Sequence, residues 1–355
     1  MKAKYYSTTE LAKRAGTSRQ VISAILNNSW QSKRISQKTF DRVQAIIEEV
    51  GYVPDRAATS LRKQGTGTIG VVYHGPLHSH VLEAVQRFNN YFLENGQEVE
   101  IAVSSENKLH QALTHLMGHR VERMLILLSS LTKTYGEELG DRAMLRLLQA
   151  VPTVVYNYPF GILPKELDKQ LIDAGNQLVG FSRSSVYLQL FKTLQAKGAT
   201  RVLLDQKIHD MVVPDPKVGK LLDKFSLVDT YPNPQFDQSS TNPYQLGESL
   251  GNSLLPIIKQ GKKYNYLITA SDMIAQGCAS RLFSSGVKIP RDIQIVGFDK
   301  VDALPYFKHP ISTIEVPVNK MVDTSLSLLE NMPDSGGKNL AKARFVEECI
   351  KKSEE

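Results

Sequence analysis

The sequence has little cysteine and no long apolar run. Only Cys278 and Cys349 occur among its 355 residues, and neither stands in a metal-binding or redox pair. Two isolated cysteines exclude a disulfide-framed fold and are typical of a reduced, cytosolic compartment. No segment approaches the roughly 18 apolar residues of a membrane span, and the first residues have no apolar core of the signal-peptide type. We therefore expect a cytoplasmic protein with no membrane partner.

The motifs of common enzyme classes are also missing. No G-x-x-x-x-G-K-[ST] or G-x-G-x-x-G pattern follows a strand-like run, so a nucleotide-binding loop is not indicated. No serine or cysteine lies in a recognisable nucleophile elbow. We predict that the chain is not an enzyme, has no catalytic residue and needs no cofactor.

Histidine is concentrated in one region. Six of the eight histidines lie between residues 74 and 119, and His115 and His119 have the i, i+4 spacing of a helical metal pair. The sequence shows no cysteine or close carboxylate group to complete a ligand set. We expect surface or pocket histidines and no metal site, with a metal site as the alternative.

The positive charge lies at one end of the chain. Residues 1–64 hold 12 Lys/Arg and 5 Asp/Glu, and the remaining residues hold 31 of each, so this segment carries the whole formal charge of +7. A small basic module on a neutral body indicates a polyanion partner for the module and another ligand for the body. A basic tail without function is the alternative, but this segment is patterned rather than low in complexity.

Three short helices are predicted within the first 51 residues. Thr8 or Thr9 can cap the first, a Gly-containing turn follows, and Thr17 or Ser18 can cap the second. Ser36 begins the third helix and Gly51 ends it. A helix, a tight turn and a second helix with polar residues at its start describe a helix-turn-helix motif.

The second helix begins with Arg19 and Gln20 side by side, before any apolar residue. In a helix-turn-helix motif the first residues of the second helix meet the base edges of the major groove. Arginine can pair with guanine O6 and N7, and glutamine with adenine N6 and N7. The amides and hydroxyls of Thr17 and Ser18 can bind phosphate. An ordinary solvated helix start is the alternative.

From Thr68 onward, β-rich apolar runs alternate with amphipathic helices. This alternation predicts parallel sheets with βαβ crossovers, and eight such runs over about 230 residues fit two Rossmann-like lobes better than one sheet. The predicted strands are 68–73, 99–104, 123–130, 152–157, 177–182, 200–205, 264–271 and 293–299. The predicted domains are 1–52 (helix-turn-helix), 53–67 (hinge helix and linker), 68–163 with about 300–322 (N-lobe), and 164–299 with about 323–355 (C-lobe and dimer surface).

Several stretches match a known pattern. They include "LAKRAGTS", "SAILNN", "GYVPDRAATSL" and "TGTIGVV" near the start, and "ITASDMIAQGCASRLFSSGVKIPRDIQIVGFDKVDALPYFKHPISTIEVP" near the end. In them the sequence resembles the LacI/GalR family of bacterial transcription regulators, strongly over 6–72 and 265–317 and weakly between. The resemblance implies a helix-turn-helix, a hinge helix and a two-lobed effector domain akin to periplasmic sugar-binding proteins. It also implies a homodimer, or a tetramer of two dimers, on operator DNA at the bacterial nucleoid.

The resemblance assigns roles in DNA binding. Arg19 and Gln20 match the two base-reading positions, and Ala24 stands where some members carry a third, larger reader, so it can offer only apolar contact. Residues 54–62 match the hinge helix, in which Ala58 and Leu61 approach the minor groove. Leu61 is either an apolar wedge between base steps or a packing residue between two hinge helices. The sites that match phosphate-contacting or positioning residues are Ser7, Ser18, Asn27, Ser36 and Thr39.

The effector pocket departs from the family pattern. The arginine with which sugar-binding members clamp hydroxyls is missing from 206–220, and 74–80 and 180–181 differ from the usual loops. Only Asp272 matches a family ligand contact. The ends of the predicted strands give the pocket candidates, each of which could instead be wall or surface: Tyr73, His74, His80, Ser105, Ser129, Asn157, Phe181, Asp205, Phe236, Asp272 and Phe298.

The sequence therefore predicts a sequence-specific DNA-binding repressor controlled by a small, carbohydrate-like effector held between two lobes. Two other functions and the role of one loop stay open at this point. A regulator whose pocket has decayed would bind DNA without sensing a ligand. A plain solute-binding protein would need an export signal and no basic module. The loop "NNSWQSKRIS" (27–36), about three residues longer than in the family, adds Trp30, Lys33 and Arg34 either as phosphate contacts or as a flexing segment.

Overall fold

The computed structural model describes residues 6–52, 66–75, 79–105, 107–129, 133–231, 242–259 and 264–347. The chain divides into two compact units, Met1–Thr66 and Gly67–Glu355. No helix of these described ranges is long and apolar enough to cross a membrane.

Within its described residues 6–52, the first unit contains three helices, α1 (Thr8–Arg14), α2 (Arg19–Leu26) and α3 (Gln37–Val50). Ser18 and Ser36 cap α2 and α3, and Gly51 ends α3 with φ 61°, a left-handed conformation that glycine adopts without strain. The capping residue of α1 was predicted wrongly, since Ser7 caps this helix rather than Thr8 or Thr9. Ser7 lies three residues before Glu10, whose carboxylate accepts the Ser7 N–H at 2.7 Å, so the two form a reciprocal capping box.

A small apolar core holds the three helices together. Leu11 from α1, Ile22 and Ile25 from α2, and Val43 from α3 are buried in one cluster. The apolar residues of α2 recur at helical spacing, so its buried face opposes an exposed polar face. The core therefore fixes which residues of α2 face the solvent.

The first lobe of the second unit is a six-stranded parallel sheet with the strand order β11-β5-β4-β3-β1-β2. Helices cover both of its faces, which explains the nearly continuous apolar runs of its central strands. Its elements are β1 (Ile69–His74), α4 (Ser79–Glu94), β2 (Val99–Ser104), α5 (Leu109–Gly118), β3 (Arg123–Leu128), α6 (Lys133–Gly140), α7 (Arg142–Ala150), β4 (Thr153–Tyr158), α8 (Lys165–Asp173), β5 (Gln177–Phe181), α14 (Val318–Glu330) and β11 (Gly337–Ala341).

The second lobe is a four-stranded parallel sheet with the strand order β7-β6-β8-β9. A short antiparallel pair, β10-β12, continues it through bridges at Ser312 and Glu315. Its elements are α9 (Arg183–Ala196), β6 (Arg201–Asp205), α10 (Gln206–Val212), α11 (Pro216–Leu222), β7 (Leu227–Tyr231), α12 (Pro243–Lys259), β8 (Tyr266–Ile268), α13 (Asp272–Ser284), β9 (Gln294–Val296), β10 (Thr313–Glu315) and β12 (Arg344–Val346).

All eight predicted strands are present, but the predicted lobe boundary is wrong. The first lobe does not end at 163, because β5 pairs with β4 and lies in the first sheet. Residues 323–341 do not join the second lobe, since α14 contacts β4 and β11 pairs with β5. The chain therefore passes between the lobes three times, at 181–183, 316–318 and 341–344.

Two glycines allow α12 and α13 to touch through their backbones. A Cβ atom on Gly277 would lie 2.0 Å from the Tyr244 carbonyl oxygen, and one on Gly247 would lie 2.2 Å from the Ile274 carbonyl oxygen. Neither carbonyl can move aside without bending its helix. The second lobe depends on this close approach for its packing on one face of the sheet.

We expect Gly277→Ala to lower the free energy of unfolding by about 1–3 kcal/mol, because the new methyl group overpacks a backbone contact. Urea unfolding followed by circular dichroism measures this change. Gly219→Ala in α11 is the matched control, since its nearest atom would lie 3.5 Å from the new Cβ. That variant should be neutral or slightly more stable, as alanine is the better helix former. Equal stabilities for the two variants would contradict the packing account.

Candidate functional site

The first turn of α2 presents two long polar side chains to the solvent. Arg19 and Gln20 are both exposed, whereas Ile22 and Ile25 of the same helix are buried. No acidic residue lies in this turn. The Ser18 hydroxyl oxygen accepts the Val21 N–H at 3.3 Å, which fixes where the helix begins. The arrangement offers a guanidinium and an amide, side by side, at the positive end of a helix dipole.

The other predicted DNA contacts lie on the same small unit, with their polar groups partly engaged. Ser36 caps α3, and its hydroxyl lies 3.0 Å from the Thr39 hydroxyl. Asn27 is exposed, and its amide donates to the Ser23 hydroxyl at 3.3 Å. Thr17 is half-buried. Each of these side chains keeps capacity for a phosphate oxygen, since hydroxyl and amide groups form more than one hydrogen bond.

The predicted apolar contact of Ala24 with DNA is not available in this structure. Ala24 is only 3% exposed, because the long loop after α2 folds back over it. The Ser29 N–H donates to the Ala24 carbonyl oxygen at 2.8 Å, and the Trp30 ring stacks on Phe40 with centroids 4.5 Å apart. The loop is thus anchored rather than free to flex, and it presents Lys33 and Arg34 to the solvent. Ala58 and Leu61 lie outside the described residues.

In the second unit, most of the predicted pocket residues lie where the parallel strands end. The carboxyl ends of parallel strands form the usual ligand-binding edge of such a sheet. Four of the candidates come together at the inner end of the cleft between the lobes, namely His80, Asn157, Phe181 and Phe298. Phe236 lies outside the described residues, and Ser105 is exposed behind the edge strand β2.

Three other candidates are engaged in internal hydrogen bonds, so the structure does not present them as open ligand contacts. His74 is fully buried, with Nδ1 3.1 Å from the Ser104 hydroxyl and Nε2 3.1 Å from a Glu138 carboxylate oxygen. The Ser129 hydroxyl donates to the His74 carbonyl oxygen at 2.8 Å. The Asp205 carboxylate accepts the first N–H groups of α10 and caps that helix.

Tyr73 and Asp272 also face inward. The Tyr73 hydroxyl donates to Asn89, which lies nine residues, or about 13 Å, along α4 from His80. Asp272 is fully buried, and its carboxylate accepts the Thr313 hydroxyl at 2.5 Å and the Val301 N–H at 3.0 Å. The predicted ligand contact of Asp272 is therefore closed in this arrangement.

The inner cleft is built by groups from both lobes. His80 lies at the start of α4 in the first lobe, and Asp299 follows β9 in the second lobe. The distance between His80 Nδ1 and an Asp299 carboxylate oxygen is 2.6 Å. Asn157 and Asp299 have positive φ angles, 61° and 114°, which are uncommon for residues other than glycine. Such backbone conformations are often found at functional sites.

A buried arginine that the sequence did not single out lies beside this contact. Arg183, the first residue of α9, is 1% exposed, and its Nη2 donates to the Asn157 side-chain oxygen at 2.8 Å. Its Cζ lies 4.4 Å from the centroid of the Phe181 ring. Burial lowers the pKa of Arg183 to about 9, and the negative charge of Asp299 offsets only part of that effect. Sequence reasoning missed it because Arg183 follows a strand that had been assigned to the wrong lobe.

Several polar atoms around Arg183 have no hydrogen-bond partner among the described residues. They are Nε and Nη1 of Arg183, the Tyr156 hydroxyl, Nε2 of His80 and Oδ2 of Asp299. Buried polar atoms are nearly always hydrogen-bonded in folded proteins, so a group of five unpaired ones is unusual. A cavity of about 190 Å³ borders this group and is lined by His80, Leu82, Glu83, Gln86, Asp299, Val301 and Asp302.

A separate cluster on the first lobe has the composition of a metal site. Atoms of Glu100, His115 and His119 that could serve as ligands lie within 4.8 Å of one another. Glu100 lies on β2 and both histidines on or next to α5, so the carboxylate that the sequence did not reveal comes from a neighbouring strand. Two imidazoles and one carboxylate could hold a zinc-like ion.

Comparisons with known proteins agree with this geometry. The profile of the family described as bacterial regulatory proteins, lacI family, matches residues 8–55, and that of a periplasmic binding protein-like domain matches 250–352. The HTH-type transcriptional regulator MalR of Clostridium butyricum is 25% identical over 341 residues, which cover 93% of either chain. The ribose operon repressor of Escherichia coli strain K12 is 22% identical, with coverage of 90% of this chain and 91% of the repressor.

Solved structures with the same fold are also known. A crystal structure of the lac repressor dimer bound to operator and the anti-inducer ONPF superposes with a TM-score of 0.67 and 19% identity. The match covers 98% of this chain and 100% of that one. At this identity the similarity establishes the fold, a helix-turn-helix followed by a two-lobed domain.

The Asp272 carboxyl should make stability depend on pH. Burial and the nearby Asp299 charge raise its pKa from an ordinary 3.8 to about 7, against hydrogen bonds from Thr313 and the 300–301 amides. Between these values the unfolded chain loses the proton and the folded chain keeps it, so stability falls as pH rises. The expected loss approaches about 1.4 kcal/mol per pH unit.

Asp272→Asn should remove this slope between pH 5 and 7 in urea unfolding, whatever its effect on absolute stability. Asp292→Asn is the control, because the Lys288 N–H and Arg291 lower the pKa of Asp292, which therefore titrates below the window. Parallel stability curves for the wild type and Asp272→Asn would refute the assignment.

Proposed function

We propose that the chain is a member of the LacI/GalR family of bacterial transcription regulators and a sequence-specific repressor whose operator affinity is set by a small molecule held between its two lobes. It acts as a homodimer on two operator half-sites, in the cytoplasm and at the nucleoid. The observation that carries the DNA-binding half is the exposed pair at the start of α2, within a unit that holds the whole net charge of the protein.

Arg19 and Gln20 are the proposed base readers. Their burial pattern leaves both side chains free, while the apolar face of α2 is fixed against α1 and α3. The hydroxyls of Ser18, Ser36 and Thr39 would accept the neighbouring roles of phosphate contacts. Leu61 remains the proposed wedge at the operator centre, on the resemblance alone.

The effector half of the proposal rests on the inner cleft. One relative is named a ribose operon repressor, and the similar structures include a lac repressor with an anti-inducer and a transcriptional regulator in complex with cellobiose, which supports ligand control here. A regulator with a decayed pocket is the second candidate, and the internal bonds of His74, Ser129 and Asp205 favour it. The five unpaired buried atoms favour a working site, because a decayed pocket would gain stability by replacing them with apolar groups.

We expect Arg19→Ala and Gln20→Ala each to weaken binding to the selected operator by about 1–3 kcal/mol, with much smaller effects on random DNA. Operator fragments would first be selected from bacterial genomic DNA, and fluorescence anisotropy would give the dissociation constants. Arg14→Ala is the matched control. It removes the same charge from the same unit, but Arg14 pairs with Glu49 at the end of α3 opposite to Ser36.

Losses of equal size on operator and random DNA would make Arg19 and Gln20 phosphate contacts rather than readers. A loss for Arg14→Ala as large as that for Arg19→Ala would mean that only net charge matters.

DNA affinity should fall steeply with salt, because each neutralised phosphate releases bound counterions. We expect the logarithm of the association constant to fall linearly with the logarithm of salt concentration, with a slope well below −2. A truncated chain of residues 67–355 should not bind DNA, since its charges balance. Tight binding by that chain, with a similar slope, would contradict the assignment of DNA binding to the first unit.

A further inference from the structure

Arg183 occupies the first place at which the chain passes between the lobes. One residue, Ser182, separates it from the end of β5, and the Ser182 hydroxyl caps α9 by accepting the Ser185 N–H at 3.3 Å. Its guanidinium reaches back to Asn157 on β4 of the first lobe. The side chain thus joins the two lobes at the inner end of the cleft, where closure would surround it.

The guanidinium is buried with most of its donors unused. It carries five N–H bonds, and Asn157 accepts one of them, at Nη2. Nε and Nη1 have no partner within the described part of the chain. The Phe181 ring covers one face of the guanidinium. The ring attracts the cation but cannot accept a hydrogen bond in the plane of the guanidinium. A buried cation in this state is strongly destabilising unless an anion completes it.

The part of the chain that the structure describes does not supply that anion. Asp299 is the nearby acidic residue whose charge acts on Arg183, yet one of its oxygens is bonded to His80 at 2.6 Å. No ion pair of Arg183 is found among the described residues. A planar guanidinium with free N–H groups is shaped to take a carboxylate or a phosphate through two parallel bonds.

The rest of the site has the opposite character. The cavity that shares His80 and Asp299 with the group of unpaired atoms is also bordered by Glu83 and Asp302, and the oxygens of these carboxylates accept hydrogen bonds and donate none when ionised. Near Arg183, the Tyr156 hydroxyl and Asp299 Oδ2 have no partner among the described residues. Phe181 and Phe298, with ring centroids 6.2 Å apart, add an apolar wall. Such a site matches a ligand with an anionic end and several hydroxyl donors.

We propose that the ligand of the inter-lobe site is a polyhydroxylated oxyanion, a sugar acid or a sugar phosphate, whose anionic group pairs with Arg183. Its hydroxyl groups donate to Asp299 and Glu83, and its carbon skeleton packs on Phe181 and Phe298. This assignment rests on the proposed function only in placing the effector between the lobes. A neutral sugar would leave the guanidinium unpaired and would bind more weakly.

The test measures the thermal stability of the full chain with five probes at equal ionic strength. D-glucose is the neutral probe, D-gluconate and acetate carry a carboxylate, and D-glucose 6-phosphate and inorganic phosphate carry a phosphate. We expect at least one oxyanion to raise the melting temperature by several degrees at millimolar concentration, whereas D-glucose has no effect. The two carboxylates and the two phosphates then distinguish a sugar acid from a sugar phosphate.

Arg183→Met should abolish the response to every oxyanion. Without any probe it should melt at the same temperature as the wild type or higher, because a buried unpaired charge has been replaced by an apolar chain of similar length. Arg142→Met is the matched control, since Arg142 is also the first residue of a helix but is exposed. Arg183→Lys keeps the positive charge but loses the planar guanidinium that forms two parallel hydrogen bonds, so it should weaken oxyanion binding about tenfold or more.

Two results would overturn the proposal. One is stabilisation by no oxyanion, or by all of them equally in the wild type and in Arg183→Met. The other is a large fall in the melting temperature of Arg183→Met without ligand, which would make Arg183 a structural residue. An oxyanion response that is unchanged in Arg183→Lys would point to the same structural role. DNA binding by the wild type is measured separately. A lack of DNA binding would refute the proposed function, but the effect of the oxyanions on the melting temperature could still be interpreted.

Discussion

Burial of the Arg183 guanidinium beside Asn157 is the constraint on which the inter-lobe region depends. The side chain sits where the chain first passes from one sheet to the other, and both sheets direct strand ends toward it. The positive φ angles at Asn157 and Asp299 place their polar groups in the same region, at the cost of backbone strain. The backbone of this cluster is strained, and several of its polar atoms have no hydrogen-bond partner among the described residues. A ligand that supplies those hydrogen bonds would therefore stabilise the cluster.

Stabilisation by a bound ligand is what an effector-controlled regulator needs. A ligand can shift a conformational equilibrium only by its difference in affinity for the two states. The His80–Asp299 contact and the Arg183–Asn157 contact both cross between lobes, so a ligand that pairs with the unpaired atoms of His80, Asp299 and Arg183 would favour one lobe arrangement over others. Reciprocity then requires that operator DNA alter the affinity for the ligand by the same factor.

Much of the fold followed from patterns that are local in sequence. Alternating apolar runs and amphipathic helices revealed eight parallel strands, because each such strand is buried on both faces. Strand β7 (Leu227–Tyr231) was not predicted, since it is mostly only partly buried and has no continuous apolar run. The lobe boundary failed because no local signal says whether β5 pairs with β4 or with a later strand. Pairing between distant segments is decided by packing, which a single sequence does not show.

The sites divide in the same way. Arg19 and Gln20 could be recognised because their role depends on position within one helix. The inner cleft was predicted only in part, because Arg183, Tyr156 and Asp299 come together only through the crossings between lobes, and nothing in "GFSRSS" marks Arg183 as buried. Ala24 was misassigned for a related reason: the residues that cover it belong to a loop whose path depends on the Trp30–Phe40 stack. If the inter-lobe ligand controls DNA binding, the operator dissociation constant should change by about fivefold or more when the protein is saturated with whichever oxyanion stabilises it. Measuring that constant with and without the oxyanion is the decisive experiment, and an unchanged constant with the ligand bound would show that the inter-lobe site does not control operator affinity.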